Sequence, residues 1–367
     1  MEIKEVITRK ERKAFVRFPR KLYKGCPHHV PPLDKKELSI IENHPALDFC
    51  TLKLWTANDG GHIVGRIGGV VNHKCNEIKG QKRVRFGWFD TVDDIQVARA
   101  LFNTVEEWGR AQGMNEICGP SRFSNLEKQS MLLEGFDHTP SIVSDYNYPY
   151  YPRLVEQLGF EKEVDYLQYR VKVTEVSDRM SQLGDILSQR YHVHLRHFDN
   201  KAQIKKCGKE FFQVLNESYA QIFNFIPLTD AEIDWAVEDN FQVADMELSS
   251  MLEDENGRLV GFAFCLPSLS EAFQKANGSL FPTGWFHILR ALKKNKYVDL
   301  YLTGVLPEYV HKGIHSIYHT QLHQTFLRRG YEYAFTSQQL EDNIAARVWS
   351  KYDSELYFRR RCYKKNI

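Results

Sequence analysis

The chain has 367 residues, of which 43% are hydrophobic and 26% charged, ordinary proportions for a globular protein, and at roughly 150 residues per domain the length fits two domains. Its 49 basic and 47 acidic residues leave a formal charge of +2, too little to grip a polyanion, so nucleic acid is not an expected partner. No apolar run approaches the ~20 residues of a membrane span, the start carries no apolar leader, and seven scattered cysteines lack a CxxC pair; the expectation is a cytoplasmic protein with no membrane partner, zinc site or disulfide framework.

The N-terminal region to about Pro32 reads as a basic helix followed by the turn-rich segment Gly25 to Pro32. Lys53 to Ala57 and His62 to Val71 then read as strands around Asn58-Asp59-Gly60-Gly61, the turn chemistry of a hairpin. Val84 to Phe89 is a further strand, and Val97, Leu101, Val105 and Trp108 fall at the spacing of one helix face, ending at Gly113. A strand at Asn115 to Cys118 precedes an insertion, Ser121 to Val143, and the half closes through Asn147 to Tyr151, Gly159-Phe160 and a strand from Asp165 to Val173.

The second half repeats this order. A helix-like stretch, Val176 to Leu187, leads to a strand near Tyr191 to His197, then a helix around Ile204 to Tyr219 and a capping box at Thr229 to Glu232 that starts another. Glu247 to Glu253 and Arg258 to Leu266 flank Asn256-Gly257, and Gly257 to Gly261 echoes Gly61 to Gly65. After an insertion, Pro267 to Lys296, with an apolar stretch Phe281 to Leu292, come a strand (Val298 to Val305), a helix bearing Ile314, Ile317, Tyr318, Leu322 and Phe326, Gly330, and a strand (Glu332 to Thr336). Duplication is the reading: domains at 1–175 and 191–367, joined by a linker at 176–190, each a mostly antiparallel mixed sheet flanked by helices in the α/β (α+β) class.

The segment Tyr301 to Ser316 is strand, short Pro- and Gly-containing loop, then helix start, a junction whose backbone N–H groups and helix dipole suit a pyrophosphate. Pro307, Tyr309, Lys312, Gly313 and Ile314 stand where the coenzyme A loop of the GNAT acyl-CoA N-acyltransferase superfamily has its own, so here the chain resembles that superfamily. Val310, His311 and His315 depart from it, replacing the usual Arg or Gln and two glycines. Glu341-Asp-Asn343-Ile-Ala-Ala346 resembles the start of the last GNAT helix, and Tyr357 to Lys365 its final strand. In the first half, Asp90-Thr-Val-Asp-Asp94 puts three carboxylates where a pyrophosphate would sit, so that copy resembles a GNAT fold without its cofactor site. From Phe18 to Tyr363 the arrangement resembles bacterial tandem GNAT proteins.

The resemblance implies transfer of an acetyl or other acyl group from acyl-CoA to an amine of a small molecule or peptide. It implies cofactor contacts at Val305, Val310, His311, Lys312, Gly313, Ile314, His315, Ser316 and Asn343, with a Val305 N–H polarising the thioester carbonyl, Glu341 as base and Tyr352 as acid. The alternative is a noncatalytic scaffold with both sites degenerate; transfer of an amino acid from a charged tRNA has little support at a net charge of +2. His311, His315, His319 and His323 recur every four residues but are read as ordinary histidines beside an apolar stripe, not as a metal site, and His192, His194 and His197 as a solvated strand edge. Asp145 to Tyr151, with Gly135 to Asp137, are read mainly as packing tyrosines.

Overall fold

The computed structural model describes residues 1–175, 178–240, 243–343, 349 and 352–367. Its first half runs β1 (Glu2–Glu5), α1 (Arg9–Leu22), α2 (Asp34–Asn43), β2 (Cys50–Asp59), β3 (His62–Asn72), α3 (His73–Lys79), β4 (Arg83–Thr91), α4 (Ile95–Ala111), β5 (Glu116–Gly119), β6 (Met131–Glu134), α5 (Tyr150–Gln157) and β7 (Glu161–Lys172). The second runs α6 (Asp178–Tyr191), β8 (Val193–Leu195), α7 (Lys201–Lys206), α8 (Gly208–Ser218), α9 (Asp230–Asn240), β9 (Ser249–Asp254), β10 (Leu259–Pro267), α10 (Ser270–Ala276), α11 (Gly284–Lys293), β11 (Tyr297–Val305), α12 (His315–Arg329), β12 (Tyr333–Thr336), β13 (Gln339–Leu340) and β14 (Ser354–Asn366). No helix among the described residues is long and apolar enough to cross a membrane.

Local chemistry sets the elements. The β2–β3 turn passes through Gly60 and Gly61, both at positive φ (+52° and +79°), where a β-carbon would be disfavoured. Thr8 and Glu11 form a reciprocal capping box at the start of α1, and the expected one at Thr229 and Glu232 starts α9. The helix anticipated over 204–219 is broken at Cys207 into α7 and α8. The segment taken as a linker is largely α6, packed on α12; residues 176 and 177, at the start of the helix-like stretch, lie outside the described residues.

All the strands join one mixed sheet, in the order β1-β2-β3-β4-β5-β14-β7-β12-β11-β10-β9-β8, with β6 and β13 pairing off this path. β4 and β5 are parallel, as are β11 and β12, so each half presents an antiparallel meander ending in a parallel pair. The closing strands are exchanged between halves. β14, from the end of the chain, pairs with β5 of the first half, and β7, from the end of the first half, pairs with β12 of the second; β14 and β7 pair with each other between them. Phe358 and Tyr363 of β14 accordingly join the buried core of the first half, while Val171 of β7 joins that of the second.

Each half alone would expose the edge its borrowed strand covers and would lose part of its core. Chains 1–175 and 176–367 expressed separately are therefore expected to be aggregated, and coexpressed to copurify as a one-to-one complex with the circular dichroism of the intact protein. A monomeric, cooperatively melting 176–367 fragment would refute the exchange.

Candidate functional site

In the second half, β11 and β12 pair only from Tyr297↔Tyr333 to Leu300↔Thr336. Beyond that, the Leu306 N–H donates to the Val260 carbonyl at 2.9 Å. The alternation of an antiparallel ladder then turns the N–H and C=O of Val305, opposite Gly261, away from β10 and toward the side where pairing with β12 has ended. Thr303, two residues earlier on the same edge, accepts the Tyr219 hydroxyl on its carbonyl at 3.0 Å.

A cavity of about 210 Å³ lies in this gap, walled by Leu300, Thr303 and Ala334 of the strands and Leu322 and Phe326 of α12. His319, Trp349 and Tyr352 line it too, with Lys172, Glu175 and Asp353 among its polar lining residues. Tyr352 is half-buried against Trp349, with ring centroids 5.8 Å apart, and burial raises its hydroxyl pKa, so it keeps its proton at neutral pH. Burial pushes His319 down to about 3, helped by His315 and His323, so its imidazole is neutral. His323 hydrogen bonds the Thr174 carbonyl through Nε2.

The loop from β11 to α12 is a 3₁₀ turn, Pro307–Lys312, followed by Gly313 at φ +73°. His311 and His315 do not take positive φ, so the β-carbons that replace the family's glycines cost no backbone strain. Gly313 is retained where the left-handed conformation is needed. Ile314 is fully buried, Ser316 half-buried, and Val310 and His311 exposed. The Lys312 ammonium sits 4.4 Å from the Tyr309 ring and 5.5 Å from that of Tyr191. The Ser316 N–H donates to Gly313 and that of Ile317 to Ile314, tightening the first turn of α12. Helix α6 runs alongside, and a β-carbon on Gly313 would lie 3.7 Å from Leu187.

Of the expected residues only Tyr352 lines this cavity; Val305 and the loop residues 310–316 are not among its lining residues, and Glu341 and Asn343 lie apart from it as well. Glu341 does not line it: its carboxylate is held by Lys162 at 2.5 Å, with Arg359 4.0 Å away, where β13 pairs with β7. Asn343 is exposed, its N–H donating to Leu340, and Ile344 to Ala346 of the same motif lie outside the described residues. Sequence reasoning missed His319 as a cavity residue; its place four residues from His315 and His323 on the α12 face was the available signal.

The first half holds the same backbone geometry in a closed form. Gly65↔Thr91 matches Gly261↔Val305, and the Val92 N–H donates to Val64 as Leu306 does to Val260. Here the Thr91 N–H donates to the Tyr151 hydroxyl at 3.0 Å, and its carbonyl accepts the Tyr150 hydroxyl at 2.7 Å. Tyr151 also hydrogen bonds Tyr23, and Asp90 beside them forms a buried ion pair with Arg66. Asp94 caps α4 by accepting from the Gln96 N–H. Tyrosines fill this edge, whereas among the described residues no side chain hydrogen bonds the Val305 N–H or carbonyl.

A larger cavity, about 850 Å³, lies on a different side, bounded by α10, α11, the 137–141 loop and parts of β7, β11, β12 and β14. Asp299 of β11 lines it, 5% exposed, with Oδ1 lacking a partner. Burial pushes its pKa up to about 7, opposed by a hydrogen bond from Ser268.

No protein-family model matches the chain. Among solved structures, a tandem GNAT protein from the clavulanic acid biosynthesis pathway superposes with a TM-score of 0.57 at 12% identity, covering 100% of this chain and 98% of that one. A GCN5-related N-acetyltransferase from Sphaerobacter thermophilus gives 0.52 at 12% identity, covering 99% and 95%. The fold is therefore the tandem GNAT fold, as the sequence resemblance implied. Among curated proteins, the chain is 28% identical over 382 residues to protein YghO of Escherichia coli (strain K12), covering 100% of this chain and 95% of that protein. It is also 28% identical over 299 residues to the bacterial ceramide synthase of Caulobacter vibrioides (strain NA1000 / CB15N), covering 78% and 75%.

The Asp299 carboxyl has a folded pKa above its unfolded one. Its contribution to stability is complete below the unfolded value near 3.8 and is lost as pH rises through about 7. Asp299→Asn is expected to raise the urea midpoint at about pH 8, with the gain shrinking toward about pH 5. Equal shifts at both pH values would show that the carboxyl is not perturbed.

Proposed function

We propose that the chain is an acyl-CoA-dependent N-acyltransferase whose working site is the gap between β11 and β12 of its second half. The observation that carries this reading is the contrast between two equivalent strand edges: the β11 edge carrying Thr303 and Val305 borders, at Thr303, a cavity with apolar walls, while Thr91 is sealed by Tyr150 and Tyr151. The residues present fit the cofactor: a gap lined mostly by apolar side chains for its pantetheine arm, and a left-handed Gly313 leading into the positive end of α12 for its pyrophosphate.

An acyl-CoA held there supplies the activated acyl group as a thioester. In this reading the backbone around Lys312 to Ser316 holds the pyrophosphate, and the Val305 N–H donates to the carbonyl oxygen as negative charge develops on it. Tyr352, protonated and lining the gap, gives its proton to the departing sulfur. Glu341 is bound in ion pairs elsewhere, so the base role passes to groups in the gap. Glu175 and Asp353 attract an ammonium, and neutral His319 has a ring nitrogen free of charge to pass its proton outward. The Caulobacter relative supports an acceptor of the long-chain amino-alcohol kind, because a ceramide is an amide of such an amine.

A second reading, a binding fold without turnover, is favoured by α6 lying against the loop at Gly313 and by the exposed Val310 and His311 in place of phosphate-binding residues.

Calorimetric titration of acetyl-CoA and a long-chain acyl-CoA into the full chain separates the two. Binding is expected for the wild type. Gly313→Val, which forces a β-branched residue into the left-handed region at about 1–3 kcal/mol of strain, is expected to weaken it about tenfold or more. Tyr352→Phe is expected to bind normally and transfer acyl groups to amines roughly 100-fold more slowly. Val305→Pro removes an N–H that the β10 ladder does not use, so its melting temperature should stay near wild type while kcat falls roughly 100-fold. No binding to well-folded wild type would leave only the second reading.

A further inference from the structure

The insertion at 267–296 is built inside out. Residues 287, 290, 291 and 294 of the α11 region, spaced three and four apart, line the large cavity. On the opposite side of the helix Trp285, Phe286 and Leu289 are 46%, 51% and 51% exposed, and the preceding turn adds Phe281 at 73%. A helix on the surface of a globular protein turns its apolar stripe to the core. Here the fully buried position of α11 is Gly284, against Ala276 of α10 and the Ser279 carbonyl.

Polar contacts hold the insertion to the rest of the molecule: the Ser270 hydroxyl donates to the Pro140 carbonyl, Gln274 to that of Pro27, and the Asp34 N–H to that of Gly278. The apolar tip contributes nothing to these contacts, so its exposure calls for another apolar phase.

Charge identifies that phase. Between residues 267 and 296 there are five basic residues, Lys275, Arg290, Lys293, Lys294 and Lys296, and one acidic residue, Glu271. Lys275 pairs with Glu271 and Lys296 with Glu332, whereas Arg290, Lys293 and Lys294 have no ion-pair partner among the described residues. The Trp285 indole N–H donates to the Pro282 carbonyl at 2.9 Å, so the ring can enter a low-dielectric medium without leaving its donor unsatisfied.

We propose that α11 and the turn before it dock the protein on an anionic phospholipid bilayer, with Phe281, Trp285, Phe286 and Leu289 seated at the boundary between headgroups and acyl chains. Lys293 meets the lipid phosphates, and Arg290 and Lys294, exposed and lining the cavity, add to the positive field at the bilayer surface. A second copy of the chain is a poorer occupant, because a two-fold contact through this face would bring the same unpaired cations together. Docking holds the cavity lined by His287, Arg290 and Lys294 at the bilayer surface. The inference stands on the helix itself and does not depend on the acyl-transfer reading.

The test is sedimentation of the full chain with vesicles of phosphatidylglycerol and phosphatidylcholine, and with vesicles of phosphatidylcholine alone, alongside light scattering of the free protein. Two variants change only exposed positions: F281S/F286S/L289S and K293E/K294E. The wild type is expected to pellet with the anionic vesicles, less so with the neutral ones, and to lose about tenfold or more in affinity in either variant while the circular dichroism is unchanged. The proposal is overturned if the wild type remains in the supernatant with anionic vesicles, or if both variants bind as the wild type does. It is equally overturned if the wild type is a dimer that the serine variant converts to monomer and no vesicle binding occurs.

Discussion

The placement of β14 between β5 and β7 is the constraint on which the rest of the molecule depends. Two meanders that each end in a parallel pair would leave two unpaired edges facing one another across the centre of the chain. The exchange of closing strands fills that space with the longest pairing in the sheet, from Ser354↔Val171 to Lys364↔Glu161. Arg360, fully buried on β14, fixes the junction by donating from Nε to the Gln168 side chain of β7 and from Nη1 to the Asp145 carbonyl of the first half. Its burial pushes the guanidinium pKa down to about 10, and Nη2 lacks a partner. A cation in such a place costs stability unless its partners hold, which ties the alignment of the two halves to this side chain.

With the centre fixed, the two parallel pairs become equivalent places whose use can diverge. A parallel pair flanked by a helix leaves backbone groups at the end of one strand without a ladder partner, and these must be satisfied by something. In the first half Tyr150 and Tyr151 satisfy them and join a buried network with Tyr23, Asp90 and Arg66, so the gap becomes structural. In the second half the same edge borders, at Thr303, a cavity with apolar walls from Leu300, Leu322, Phe326 and Ala334. The two halves thus share one backbone arrangement, and in the first it is closed by tyrosines of α5.

What was legible in the sequence was local. The hairpins followed from Asn-Asp-Gly-Gly and Asn-Gly turns, the long helices from their three- and four-residue apolar spacing, and the strand ends fell within one residue for β3, β10 and β11 and within three for β2. The exchange of β7 and β14 was not legible, because each strand's own pattern is satisfied equally well beside either half. Glu341 was chosen by motif, but where its carboxylate sits is set by Lys162, 179 positions away, whose ammonium pairs with it. His319 looked like an ordinary helix histidine because the groups that bury it, Trp349 and the residues around Thr174, come from segments distant in the chain. The histidines at 311 and 315 looked like damage to the loop; the φ angles show that Gly313 alone carries the left-handed turn.

The insertion at 267–296 shows the same limit from the other side. Counting apolar residues rules out a membrane span there, since the run is far shorter than about 20 residues, and this argued against any membrane partner. Length limits only what crosses a bilayer. A helix that lies on one needs an apolar stripe and a cationic margin, and whether such a stripe faces the core or the solvent depends on which side of the helix the remainder of the protein occupies. Gly284 settles that question for α11: with no side chain it lets the helix approach α10 along a narrow small-residue contact, and this packing leaves Trp285, Phe286 and Leu289 outward. A residue with no hydrophobic side chain thus decides where the hydrophobic ones are presented.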